Sequence, residues 1–177
     1  MELDSARVDD LREFSRRMDL GIEDLTLLER ALTHASVYSE MQHVVGDYES
    51  LEFLGDAVLG LAVAHHLFER APDRTPGEYS RTRAGIVNRR CLARVAVELN
   101  IGPVIRLGRG EELSGGRERT ALLADCLEAM IGALYLDQGW EAARAFVARV
   151  FEKELRRELS ARSEERRVGK ECRSRWS

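Results

Sequence analysis

Cysteine, proline and aromatic residues are scarce in this 177-residue sequence, and each scarcity closes off a class of protein. The three cysteines, Cys91, Cys126 and Cys172, are odd in number, far apart and never in a Cys-x-x-Cys pair, which excludes a disulfide framework and a thiolate zinc site. Three prolines and fourteen glycines are too few for a collagen-like or low-complexity chain. No uninterrupted apolar run approaches the roughly 20 residues that span a bilayer. The start, Met1-Glu2-Leu3-Asp4-Ser5, also lacks the basic segment and apolar stretch of a signal peptide. The expected compartment is therefore cytoplasmic, with no membrane partner. Sustained alternation of apolar and polar residues is missing too, so no strand is predicted.

What remains is a chain with 44% hydrophobic and 33% charged residues, the balance of a folded domain with one core. Its net charge of −4 argues against a uniformly basic nucleic-acid binder and leaves room for a local basic patch. The last residues, 162–177, differ in character. They carry six basic and three acidic side chains without an apolar stripe, and they read like a translated sequencing-adapter read-through. The expected organisation is one domain over residues 8–159 followed by a disordered, non-native tail over 160–177. Leaving out residues 162–177 gives 21 basic against 28 acidic residues, a net charge of −7.

Apolar residues recur with helical spacing almost throughout, which predicts an all-α fold. Helices are expected over residues 8–18, from Leu25 to Leu32 behind Asp24, and over 48–69 before Pro72. One long basic helix should run from Pro76 to about Asn100, carrying Arg81, Arg83, Arg89, Arg90 and Arg94. A glycine-rich loop over 107–117 separates it from a helix over 120–136, and Asp137-Gln138-Gly139 divides that helix from a last one over 140–159.

The informative feature is where the acids lie. Between Leu51 and Ala64 the only charged residues are Glu52 and Asp56, and between Ala121 and Leu136 they are Asp125 and Glu128. At about 100° per residue, Glu49, Glu52 and Asp56 fall within about 60° of one another on a row that continues into Leu59 and Val63. Neither helix offers a cation three or four residues from these acids. Burying ionised carboxylates costs several kcal/mol each unless they are paired or hold a metal. An all-oxygen donor set fits Mg²⁺ or Mn²⁺ better than zinc, and a site of that kind activates water for phosphoryl chemistry. The plainer alternative is that these acids serve helix dipoles or pair with arginines from elsewhere. A di-iron bundle would need Glu-x-x-His on two helices, and the sequence has it once, from Glu40 to His43, in a polar connection.

The run Glu49-Ser50-Leu51-Glu52-Phe53-Leu54-Gly55-Asp56-Ala57-Val58-Leu59 resembles the signature of ribonuclease III, the double-stranded-RNA endonuclease family. In matching order come Leu32-Thr33-His34-Ala35-Ser36, Ser80-Arg81-Thr82-Arg83-Ala84, Val87-Asn88, Ser114-Gly115-Gly116, Leu123-Ala124-Asp125-Cys126-Leu127-Glu128-Ala129 and Ile131-Gly132-Ala133. The resemblance covers roughly residues 8–159. It implies the all-helical endonuclease fold, Mg²⁺ dependence with Mn²⁺ as a substitute, and a homodimer that cuts both strands of double-stranded RNA, as in ribosomal and messenger RNA processing. By position it makes Glu52, Asp125 and Glu128 metal ligands and Asp56 and Glu128 catalytic. Glu49, Arg81, Arg83, Asn88, Arg109 and Arg117 become RNA contacts, and Phe53 a dimer-interface residue, the plainer alternative for Phe53 being a core aromatic.

The chain departs from the family pattern twice. Pro76 stands where the family usually has Glu before the glycine of the basic helix, with Glu78 as the candidate substitute, and in place of the double-stranded-RNA-binding domain that the resemblance leads one to expect after residue 159, residues 160–177 read as the tail described above. The rival reading is an inactive RNA-binding paralogue. Such paralogues tend to lose the acid set, which is complete here apart from Pro76.

Overall fold

The computed structural model describes residues 3–40 and 46–160. The reading of residues 162–177 as a non-native tail and the Glu40 to His43 motif fall wholly or partly outside them. Seven α-helices are described: α1 (Ser5–Arg17), α2 (Leu25–Ala31), α3 (Glu49–Arg70), α4 (Pro76–Ile86), α5 (Arg89–Glu98), α6 (Arg109–Leu113) and α7 (Thr120–Val150). Residues 152–160 are helical again after a turn at Phe151. The fold is all-α; the one extended pairing among the described residues is an isolated parallel bridge between Thr33 and Arg106.

Short polar side chains start most of these helices by accepting otherwise unpaired N–H groups. Asp4 accepts from Arg7 and Asp24 from Thr26, both at 2.8 Å. Thr75 and Glu78 form a reciprocal capping box ahead of α4, with Pro76 in its first turn. The single basic helix expected from Pro76 to Asn100 is two helices. Asn88 is extended (φ −138°, ψ 150°), its Oδ1 accepts from the Cys91 N–H, and its Nδ2 donates to the Ala84 and Gly85 carbonyls. One asparagine thus closes α4 and opens α5. The glycine-rich loop likewise contains a short helix, α6. The expected break at Gly139 is present, with φ 79° and ψ −173°, a backbone state open in practice to glycine alone.

Helices α3 and α7 cross at the centre of the molecule. The buried side of α3 (Leu51, Val58, Leu59, Ala62, Val63, Leu67) meets Leu127, Met130, Ile131 and Leu134 of α7, and α5 packs Leu92, Val95 and Ala96 against the same helix. By length and composition α3 could cross a membrane, but here it is the core helix. The crossing is close enough that backbone touches backbone. A Cβ on Gly55 would collide with the Glu128 carbonyl oxygen, and one on Gly132 with the Leu51 carbonyl oxygen.

A second tie is ionic. Glu29 of α2 is 2% exposed and accepts from Arg7 Nε and Arg106 Nη1, each at 2.6 Å. Arg106 also donates its N–H to the Leu32 carbonyl, and its own carbonyl accepts from His34 N–H. These contacts hold α1, α2 and the segment before α6 together.

Gly55→Ala and Gly132→Ala should each destabilise the chain by about 2–3 kcal/mol or more, because overpacking a helix crossing forces the backbones apart. Nothing lies within 4 Å of a Cβ built on Gly60. Gly60→Ala should therefore raise stability by about 0.5–1 kcal/mol through helix propensity alone. Urea denaturation of the three variants checks the contrast.

Candidate metal and nucleic-acid site

One turn separates Glu52 from Asp56 on α3, and three residues separate Asp125 from Glu128 on α7. Because the helices cross at Gly55 and Glu128, the two pairs converge. Glu52, Asp125 and Glu128 each place a carboxylate oxygen so that the three lie within 4.8 Å of one another. Asp56 is outside that trio but lines the same open cavity of about 310 Å³, together with Asn88 and Arg89 from the start of α5.

The electrostatics of the cluster are those of a site short of positive charge. Burial, then Asp56, Glu52 and Asp125, push the Glu128 carboxyl up to about 7, against the opposing pull of Arg89. Burial also raises Asp125, with Arg89 and His34 pulling the other way, and burial followed by the Asp125 charge raises Glu52. Among the described residues no hydrogen bond to a protein donor offsets these three carboxylates. Three oxygen ligands with no donors of their own suit a hard divalent cation, which would neutralise the repulsion among them.

His34 and Ser36 link the segments beside the site. The His34 Nδ1 accepts from the Ser36 N–H at 3.1 Å and lies 2.8 Å from the Ser36 hydroxyl, which in turn accepts from Gly108 N–H. The His34 ring lies 5.8 Å from Tyr48, the residue before α3. The segment leading to Arg109 is thereby tied to the start of the helix that carries Glu52.

The other residues singled out in the sequence fall in different places. Glu49 is exposed at the start of α3, its N–H bonded to Asp47. Arg81 and Arg83 are exposed on α4, and Arg83 shares with Asp56 the wall of a neighbouring groove between α3 and α4. Asn88 is the α5 cap at the cavity edge. Arg109 is exposed, its N–H bonded to Glu40 Oε1. Arg117 points inward: its guanidinium donates to the Gly102, Pro103 and Ile105 carbonyls and pairs with Glu112 at 2.7 Å, so it staples the loop. Glu78, the substitute for a family acid at Pro76, is engaged in its capping box. Phe53 is 81% exposed and is not a core aromatic.

Missing from the sequence-derived pairings is the cation beside the acids. Arg89 Nη2 lies 3.9 Å from Asp125 Oδ1. A search along one helix at three- and four-residue spacing cannot find it, because the fold delivers it from α5.

A family model described as Ribonuclease-III-like matches residues 24–155. The chain belongs to the ribonuclease III family. It is 48% identical over 149 residues to Ribonuclease 3 of Syntrophobacter fumaroxidans, a match spanning 84% of this chain and 62% of that protein. With Ribonuclease 3 of Treponema denticola it shares 45% over 150 residues, 85% of this chain and 61% of the relative. The chain thus spans about three-fifths of the length of these ribonuclease III relatives. Among solved structures it resembles the nuclease domain of Campylobacter jejuni ribonuclease III, a domain with a structurally flexible region involved in dimer formation. That likeness has a TM-score of 0.74 at 38% identity, over 80% of this chain and 95% of that one. A likeness to Pichia stipitis Dicer, TM-score 0.54 at 22% identity over 76% of this chain and 57% of that one, extends to the fold alone.

In the metal-free chain, Glu128 titrates near 7 when folded against an ordinary value of 4.5. The folded state therefore holds the extra proton between those values. The stability this contributes is fully present below about 4.5 and is lost as pH rises through about 7. Urea denaturation in EDTA should show wild-type stability falling across that window relative to Glu128→Gln, whose profile lacks this slope.

Proposed function

We propose that this chain is the catalytic domain of an Mg²⁺-dependent endonuclease that hydrolyses double-stranded RNA as a homodimer in the cytoplasm, in the manner of ribosomal and messenger RNA processing. The convergence of Glu52, Asp125 and Glu128 from two helices, with Asp56 on the same cavity, carries the reading. These three carboxylates would hold Mg²⁺, or Mn²⁺ in its place. When bound, the metal supplies Lewis-acid activation of a water and neutralises charge building on the phosphodiester.

The protein groups divide the remaining work. Asp56, exposed and outside the ligand trio, is free to accept a hydrogen bond from the attacking water and orient it toward phosphorus. Glu49 at the outer edge can accept from a ribose 2′-hydroxyl, the group that separates RNA from DNA. Arg81, Arg83 and Arg109 meet the backbone phosphates by charge and without reading base edges. Asn88 shapes the cavity edge through its cap, and Arg117 acts on RNA through the loop it holds.

Cutting both strands of a duplex needs two such cavities, and the exposed face of α3 supports pairing. Phe53, Leu61 and Phe68 are all more than half exposed along it, beside an open groove lined by Ala57, Gly60, Leu61 and Ala64. Exposed aromatic and aliphatic side chains in a row are the expected anchors of a two-fold interface.

Incubation of a labelled RNA duplex with the wild-type chain and Mg²⁺ should yield discrete fragments. Glu128→Gln should slow cleavage about 1,000-fold or more, since metal stabilisation of the transition state is worth several kcal/mol at about 1.4 kcal/mol per tenfold. Equal cleavage by both chains, or none by either, would refute the assignment.

A further inference from the structure

The basic residues around the candidate site are far from equivalent. Arg106 is bound to buried Glu29 at 2.6 Å, Arg117 is spent on three carbonyls and Glu112, Arg119 pairs with Glu111 at 2.5 Å, and Arg94 pairs with Glu154 at 3.0 Å. Arg89 and Arg90 stand side by side at the start of α5, yet Arg90 lines a separate pocket with Arg94, Glu154 and Arg157. Among the described residues, Arg89 is the one cation on the wall of the cavity that holds Glu52, Asp56, Asp125 and Glu128.

Its contact with Asp125 is long, 3.9 Å, and its side chain is 66% exposed whereas that of Asp125 is 17% exposed. The acid is mostly buried and the guanidinium is at the rim. An arginine so placed can leave its carboxylate at little cost, because exposed ion pairs are weak and solvent already shares the guanidinium. The guanidinium fork also matches a phosphate as well as it matches a carboxylate.

We propose that Arg89 is a substrate-binding residue that exchanges partners: it pairs with Asp125 when the cavity lacks metal and grips a backbone phosphate of the duplex when a divalent cation takes over the carboxylates. This rests on the RNA endonuclease reading above and adds to it a residue and a sequence of events. Metal entry then displaces a resident positive charge, so Arg89 opposes metal binding in the absence of RNA. The same displacement turns a phosphate-binding fork outward at the rim beside the metal, which makes the two ligands cooperative through one side chain.

Two measurements on the full chain test this. Calorimetric titration with Mn²⁺ alone should show Arg89→Ala binding about threefold or more tighter than wild type, because a like charge is gone, and Arg89→Lys binding as wild type does. Fluorescence anisotropy of a labelled RNA duplex in Ca²⁺ should show Arg89→Ala about fivefold or more weaker than wild type, with Arg89→Lys between the two. An unchanged affinity of Arg89→Ala for either Mn²⁺ or duplex would overturn the exchange. Both shifts present in a chain whose wild type fails to cut duplex RNA with Mg²⁺ would uphold the exchange and overturn the nuclease reading alone.

Discussion

The backbone of α3 meets the backbone of α7 at Gly55 and Gly132, and the placement of every acid in the cavity follows from that contact. Side chains at the two positions would hold the helices apart, since a Cβ at either would strike a carbonyl oxygen of the facing helix. Glu128 supplies one of those carbonyls, so the residue that touches α3 with its backbone is also the one that aims a carboxylate into the cavity. Glu52 and Asp56 flank Gly55 on the facing helix. The apolar burial along both helices provides the free energy that keeps the crossing closed.

That closeness has an electrostatic consequence. Three carboxylates within 4.8 Å of one another repel, and their partial burial weakens the screening by water. Elsewhere the fold answers a buried acid with arginines, as at Glu29, where Arg7 and Arg106 both approach to 2.6 Å. In the cavity Arg89 alone among the described residues supplies a cation, at 3.9 Å and from the rim. The difference between a satisfied acid and a deliberately under-compensated cluster separates a structural ion pair from a site that can take a divalent cation.

The all-α class, the break at Gly139 and the four acids could be read from the chain because each is a local property: periodicity, a glycine after a polar run, or charge inside an otherwise apolar helix. Long-range contacts were beyond that reach. The break between α4 and α5 depends on an extended Asn88, although Val87-Asn88-Arg89 reads as tolerably helical. Arg117 looks like a solvent-facing loop cation until the fold brings three carbonyls around it, and Arg89 gains its meaning from an acid on another helix. The environment of Phe53, core or surface, also depends on what packs against α3, and the fold leaves it 81% exposed.

The central claim is that α3 and α7 together build one divalent-cation site. A crystal of the chain soaked in Mn²⁺, with anomalous diffraction data, tests it most directly. The account predicts an anomalous peak bonded to oxygens of Glu52, Asp125 and Glu128, with Arg89 withdrawn from Asp125. Full Mn²⁺ occupancy elsewhere with no peak among these three carboxylates would contradict it.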